Sequence, residues 1–118
     1  MALKLSFRTR SPDRDQQTNR TRFAAVSAAI STAIADAERE RHGLRRRIEE
    51  YYSTAVAIMD ESGDFADRAA ADETAISQAE QRASAGRARL DTVDAQIEML
   101  QGLQRQVEAF LLEDPSTR

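Results

Sequence analysis

The sequence has no cysteine, no tryptophan and a single histidine, His42, and its 118 residues include only four glycines and two prolines. Without cysteine there is neither a disulfide framework nor a thiolate metal site. Aromatic residues are scarce at 5%, while Ala, Arg, Glu and Gln are abundant. That composition belongs to long helices and coiled coils rather than to a mixed globular core. No apolar run approaches the ~20 residues of a membrane span. The opening stretch MALKLSFRTR has too short an apolar segment for a secretory signal, so the expected location is cytoplasmic. The glycines stand singly at 43, 63, 86 and 102, which leaves no Gly-rich phosphate loop and no nucleophile elbow.

Charge is abundant but uneven. The net charge of −3 divides into +4 over residues 1–22 (six basic, two acidic), −2 over residues 23–62 (five basic, seven acidic) and −5 over residues 63–118 (six basic, eleven acidic). Residues 1–19 lack helical periodicity. Leu3, Leu5 and Phe7 alternate with Lys4 and Ser6 in a strand-like pattern, and Ser11-Pro12-Asp13 reads as a turn. The segment is expected to be a basic arm, flexible or docked on a partner, with Thr18 or Asn19 capping the first helix.

From Phe23 onward the apolar residues fall into heptads, lettered a to g, whose a and d positions form a seam. In the first helix, over about 20–62, the seam carries Phe23, Ile30, Ile34, Leu44, Ile48, Tyr51 and Ile58. Gly63 then offers the left-handed conformation that ends helices, and the turn is expected at 62–64. The second helix, over about 64–112, carries Phe65, Ile76, Leu90, Val93, Ile97, Leu100, Val107 and Leu111 on its seam. Pro115 bars continuation, leaving 113–118 as a flexible tail. The predicted fold is all-α: a long antiparallel two-helix coiled-coil hairpin.

A fold-back at Gly63-Asp64 sets the expected layers: Ile30–Ile97, Ile34–Val93, Ala37–Leu90, Arg41–Gly86, Leu44–Ala83, Ile48–Ala79, Tyr51–Ile76 and Ile58–Ala69. Large residues repeatedly face small ones. Asp72 falls in the seam opposite Ala55. Beside the seam, Glu38 comes near Arg87, Glu40 near Arg89 and Arg45 near Glu80, while Arg47 and Arg82 are alike. Such pairs select register more than they add stability.

One seam between two helices is little burial for a chain of this length, and the Ala-rich middle is expected to be its weak part. Apolar residues also stand off the seam: Val26, Tyr52, Val56, Met59, Met99, Leu103, Phe110 and Leu112. These predict a partner surface, either in a homodimer that pairs hairpins into a four-helix bundle or with another protein. Leu3, Leu5, Phe7, Arg8 and Arg10 of the arm are the further candidate contacts, by strand addition to a partner's sheet or by binding nucleic acid.

No catalytic, cofactor-binding or metal-ligating residue is assigned. A lone histidine beside Gly43 has no convergent partners. The acidic pairs Glu49-Glu50 and Asp60-Glu61 splay about 100° apart on a helix, and the Glu-x-x-His repeats of bundle di-metal sites are missing. Arg45-Arg46-Arg47 is bracketed by Glu38, Glu40, Glu49 and Glu50, which marks a solvated, salt-bridged face. No enzyme activity, cofactor, small-molecule substrate or membrane contact is expected. In shape the hairpin is similar to the small helical-hairpin stalk and chaperone proteins of bacterial flagellar and type III export systems, and an Arg- and Ala-rich chain with one lysine fits a GC-rich bacterial genome. The expected function is therefore a non-enzymatic adaptor, chaperone or assembly factor of a bacterial complex. The alternatives are a small nucleic-acid-associated dimer that binds through its arm, and a plain coiled-coil spacer.

Overall fold

The computed structural model describes residues 11–63 and 68–113. These form two helices, α1 (Pro12–Ser62, 51 residues) and α2 (Ala70–Glu113, 44 residues), with no strand among the described residues. The all-α antiparallel hairpin predicted by the heptads is present. No helix among the described residues is long and apolar enough to cross a membrane.

Helix α1 begins at Pro12, well before the expected start near residue 20. Ser11-Pro12-Asp13 is a helix start and not a turn. The Arg14 amide donates to the Ser11 hydroxyl at 3.1 Å, and the Asp15 amide donates to the Ser11 carbonyl at 3.1 Å. Proline fits the first helical position, whose N–H would have no partner in any case. Asp13 and Asp15 then place negative charge in the first turn. Thr18, expected as the cap, instead donates its hydroxyl to the Arg14 carbonyl within the helix. Residues 1–10 of the arm lie outside the described residues.

At its other end α1 stops where predicted. Gly63 has φ +71°, the left-handed conformation that glycine adopts without a Cβ penalty. Helix α2 does not follow at once. It starts at Ala70, whose preceding residue Ala69 accepts the first amides, from Asp72 and Glu73, through its carbonyl. The connection therefore spans residues 63–69. The predicted seam residue Phe65 lies outside the described residues, and Ala69 precedes the helix.

This longer connection changes the register. The chain divides into two units: a core unit, Asp36–Ile97, and a terminal unit that joins the residues up to Ala35 with those from Glu98 onward. In the core unit Ile48 lies against Gly86, not Ala79. Ala55 clusters with Ile76 and Ala79 rather than facing Asp72. Arg41 reaches Asp94 at 3.6 Å rather than crossing Gly86, and Ser62 donates to the Asp72 carboxylate at 2.9 Å. The partners of Ile48, Ala55 and Ser62 lie one heptad further along α2 than the predicted register gives, and that of Arg41 lies next to the corresponding seam position, Val93. The physical reason is the turn. The connection runs from residue 63 to 69, within the usual range of about 2–8 residues, and each residue added to it moves the first layer of α2 further along that helix. A slip of one whole heptad keeps all a and d residues on the seam, so the predicted seam survives while its pairings change.

Burial is deepest in the stretch expected to be weakest. Leu44, Ile48, Ala55, Ile76, Ala79, Ala83, Val93 and Ile97 are the buried apolar residues, and all lie in the core unit. Leu44, Val93 and Ile97 form one cluster with Ala37 and Leu90 against it, and Ala55, Ile76 and Ala79 form another with Ile58 and Met59 against it. Small residues let the backbones approach, so that Ala55, Ala79 and Ala83 become almost fully enclosed. A Cβ on Gly86 would sit 2.9 Å from Cγ1 of Ile48.

In the terminal unit Phe23, Ile30, Ile34, Leu100, Val107 and Leu111 all sit on the seam, but each is only half-buried. Phe23 stacks on Phe110 with ring centroids 4.1 Å apart. Gln104, a seam residue, donates to the Ser31 hydroxyl at 2.7 Å. Bulky rings and a polar layer here replace the small residues of the core unit.

Two measurements check this register. An Ala55→Cys/Ala79→Cys chain should oxidise to an intramolecular disulfide, whereas Ala55→Cys/Asp72→Cys should not; efficient closure of the second pair alone would restore the original register. In a Gly86→Ala variant, overpacking against Ile48 costs about 1–3 kcal/mol and the helix gains about 1 kcal/mol. Urea denaturation should therefore show a net loss, which should vanish when Gly86→Ala is made in an Ile48→Ala background, where the clashing Cγ1 is gone.

Candidate interaction surfaces

Two faces of the hairpin carry residues that its own seam does not use. Both involve the g positions, which flank the seam and lie on the same side of it in both helices of an antiparallel pair.

In the terminal unit four of the g positions are apolar, while Asn19 near the start of α1 is polar. Val26 and Ala33 of α1 and Leu103 and Phe110 of α2 occupy them, and Val26, Leu103 and Phe110 remain 45%, 44% and 42% exposed. Ala33 is half-buried. The opposite flank of the same unit is mainly polar: Gln17, Ser31, Gln101 and Glu108 occupy its e positions with the small Ala24, and Ser31 is held by Gln104. One side of this unit is therefore wet and hydrogen-bonded, and the other is an apolar strip beside a half-buried seam. Met99 and Leu112, on the outer face, are exposed as well.

In the core unit several g positions are charged, among them Glu40, Arg47, Arg82 and Arg89. Arg89 donates to Glu40 through Nε at 2.7 Å and Nη2 at 3.0 Å, a fork-to-carboxylate pair. The expected Glu40–Arg89 contact thus forms in spite of the register slip, because long side chains at these positions span the difference. The expected Glu38–Arg87 and Arg45–Glu80 pairs do not form among the described residues. Arg87 lies instead over the Tyr52 ring, 5.4 Å from its centroid. Of the other candidate contacts in this unit, Val56 is exposed, and Met59 packs against the Ala55 cluster rather than presenting itself to a partner.

One heptad from Glu40 and Arg89 on each helix stand Arg47 and Arg82. They flank a groove of about 320 Å³ whose lining also includes Ile48, Tyr51, Gly86 and Arg89. Sequence reading noted the like charges but not the groove, since that depends on which side chain faces Gly86. The remaining candidates, Leu3, Leu5, Phe7, Arg8 and Arg10, lie outside the described residues. His42 is exposed, and no group of three or more potential metal ligands occurs among the described residues.

Electrostatics single out one pair. The bonds from Arg89, its charge and a further pull from Arg47 hold the Glu40 carboxyl below its ordinary value, against an opposing effect of burial. The same bonds raise Arg89. A depressed carboxyl contributes stability above its unfolded value and loses it as pH falls through its folded value. The carboxyl ¹³C resonance of Glu40 should accordingly titrate at lower pH in the native chain than in an Arg89→Gln variant; identical midpoints would show that the pair does not persist in solution.

Comparison with protein-family models, curated proteins and solved structures gives no match.

Proposed function

We propose that the chain is a non-enzymatic protein–protein interaction module that self-associates through the apolar g strip of its terminal unit. The observation that carries this reading is the contrast within that unit. Val26, Leu103 and Phe110 are exposed on one flank, beside seam residues only half-buried, while the other flank is polar. Apolar residues gathered on one side of a two-helix layer are what a second layer would cover. A second copy related by a two-fold axis would bring strip against strip and complete a four-helix bundle. A rigid pair of helices that exposes binding faces and carries no chemistry suits an adaptor, chaperone or assembly factor. The Arg- and Ala-rich composition favours a bacterial machine, and the setting proposed for it is cytoplasmic. The basic arm would supply a further protein contact.

Light scattering on a sizing column tests self-association. The native chain should run at twice the monomer mass, and Val26→Glu/Leu103→Glu should run as a monomer that keeps its helical circular dichroism. Val56→Glu, in the core unit, should remain dimeric. A native chain that is monomeric even at millimolar concentration would overturn self-association through this strip.

A further inference from the structure

We infer that the groove between Arg47 and Arg82 is a binding site for the phosphate monoester of a small ligand with an apolar or aromatic body. The site lies wholly within the core unit and does not depend on the self-association proposed above.

The starting point is a repeat in the geometry. Glu40 and Arg89 occupy facing g positions and bond through both carboxylate oxygens. A step of seven residues along each helix leads from Glu40 to Arg47 and from Arg89 to Arg82. The same placement that joins an acid to a base there sets two guanidinium groups on either side of a groove. Neither Arg47 nor Arg82 has a hydrogen bond or ion pair among the described residues, although Arg47 is felt at longer range by Glu40. Like charges at facing positions are unfavourable, and an anion between them reverses the sign of the interaction.

The chemistry of that anion follows from counting donors, acceptors and charges. A carboxylate has one negative charge and two oxygens, and a single arginine fork occupies both, as Arg89 does on Glu40. Two arginines lining one groove call for a double charge and more than two free oxygens. A phosphate monoester has three terminal oxygens and a charge near −2 once its second proton leaves, at pH about 6. A phosphodiester has two free oxygens and one charge, and fits no better than a carboxylate. The nucleic-acid backbone is therefore the poorer match.

The rest of the groove describes the ligand's body. Ile48 is buried and Tyr51 half-buried, and both line it; Gly86 contributes no side chain. A Cβ at Gly86 would displace Ile48, so the glycine that fixes the helix approach also helps to shape the groove. The Tyr51 hydroxyl has no hydrogen bond among the described residues and is free to donate to an oxyanion. A volume of about 320 Å³ exceeds a bare phosphate and matches the lower end of small-molecule sites, about 300–1,000 Å³. Apolar walls with a few convergent donors are the usual make-up of such sites.

The test is a titration of the full chain followed by the Gly86 amide and the arginine Nε–H resonances. Phenyl phosphate, methyl phenyl phosphate, benzoate, inorganic phosphate and a phosphoserine tetrapeptide are the probes. Phenyl phosphate should bind at least tenfold more tightly than the diester or benzoate, and more tightly than inorganic phosphate. Its affinity should fall at least fivefold between pH 7.5 and pH 5, as the ligand regains its proton. Arg47→Gln and Arg82→Gln should each weaken binding tenfold or more. Arg46→Gln, outside the groove lining, should leave it within twofold. Arg47→Glu should abolish binding and raise the thermal midpoint of the free protein, because it re-creates the Glu40–Arg89 arrangement; that rise also shows that the variant is folded. Equal affinity for monoester and diester, or equal losses in the Arg46 and Arg47 variants, would reduce the site to a diffuse positive field. Tighter binding of the phosphopeptide than of phenyl phosphate would overturn the small-ligand assignment.

Discussion

The absence of a side chain at Gly86 is the constraint from which the core unit follows. Even one methyl group there would meet Ile48 at less than normal contact distance. The two helices approach closely at this layer because nothing stands between backbone and isoleucine. On one side Ala55, Ala79 and Ala83 are almost completely enclosed, and on the other Leu44, Val93 and Ile97 form their own cluster. Alanine buries little area, so its value here is geometric. Small residues bring the large ones on the facing helix within van der Waals reach along their whole length, and dispersion falls steeply with any gap. The polar ends of this stretch are closed by specific bonds: Ser62 to Asp72 at the turn, and Arg41 toward Asp94 at the far side.

The terminal unit shows what happens when the same heptad frame is filled differently. Phenylalanine faces phenylalanine, and a glutamine occupies the seam. Rings hold the helices apart where alanines would let them close, so no seam residue there is fully buried. The apolar character that the seam cannot enclose continues onto one flank as Val26, Leu103 and Phe110. One unit spends its apolar residues on its own packing, and the other leaves part of them to solvent.

The charged flank of the core unit obeys the same periodicity. Facing g positions hold an acid and a base at one heptad and two bases at the next. The first pair is satisfied internally; the second is left to whatever anion is available. Both are exposed, so their worth lies in selectivity more than in stability.

Much of this molecule was legible in its sequence, and register was the main exception. The heptad phase, the helical class, the stop at Gly63 and the outward placement of Val26, Leu103 and Phe110 all depend on residues within a few turns of each other, where side-chain spacing alone decides. The early helix start was also written locally, in Ser11-Pro12-Asp13, but the same three residues serve for a turn. Register was different. A heptad repeat looks the same after a slip of seven residues, so local pattern ranks such alternatives nearly equally. Only the length of the connection between Ser62 and Ala70, and the contact of Ile48 with Gly86 across the interface, choose between them. The sequence by itself determined which residues line the seam; the tertiary structure decided which of them meet, and with that which groove opens between Arg47 and Arg82, because pairings between helices depend on distances that no periodicity encodes.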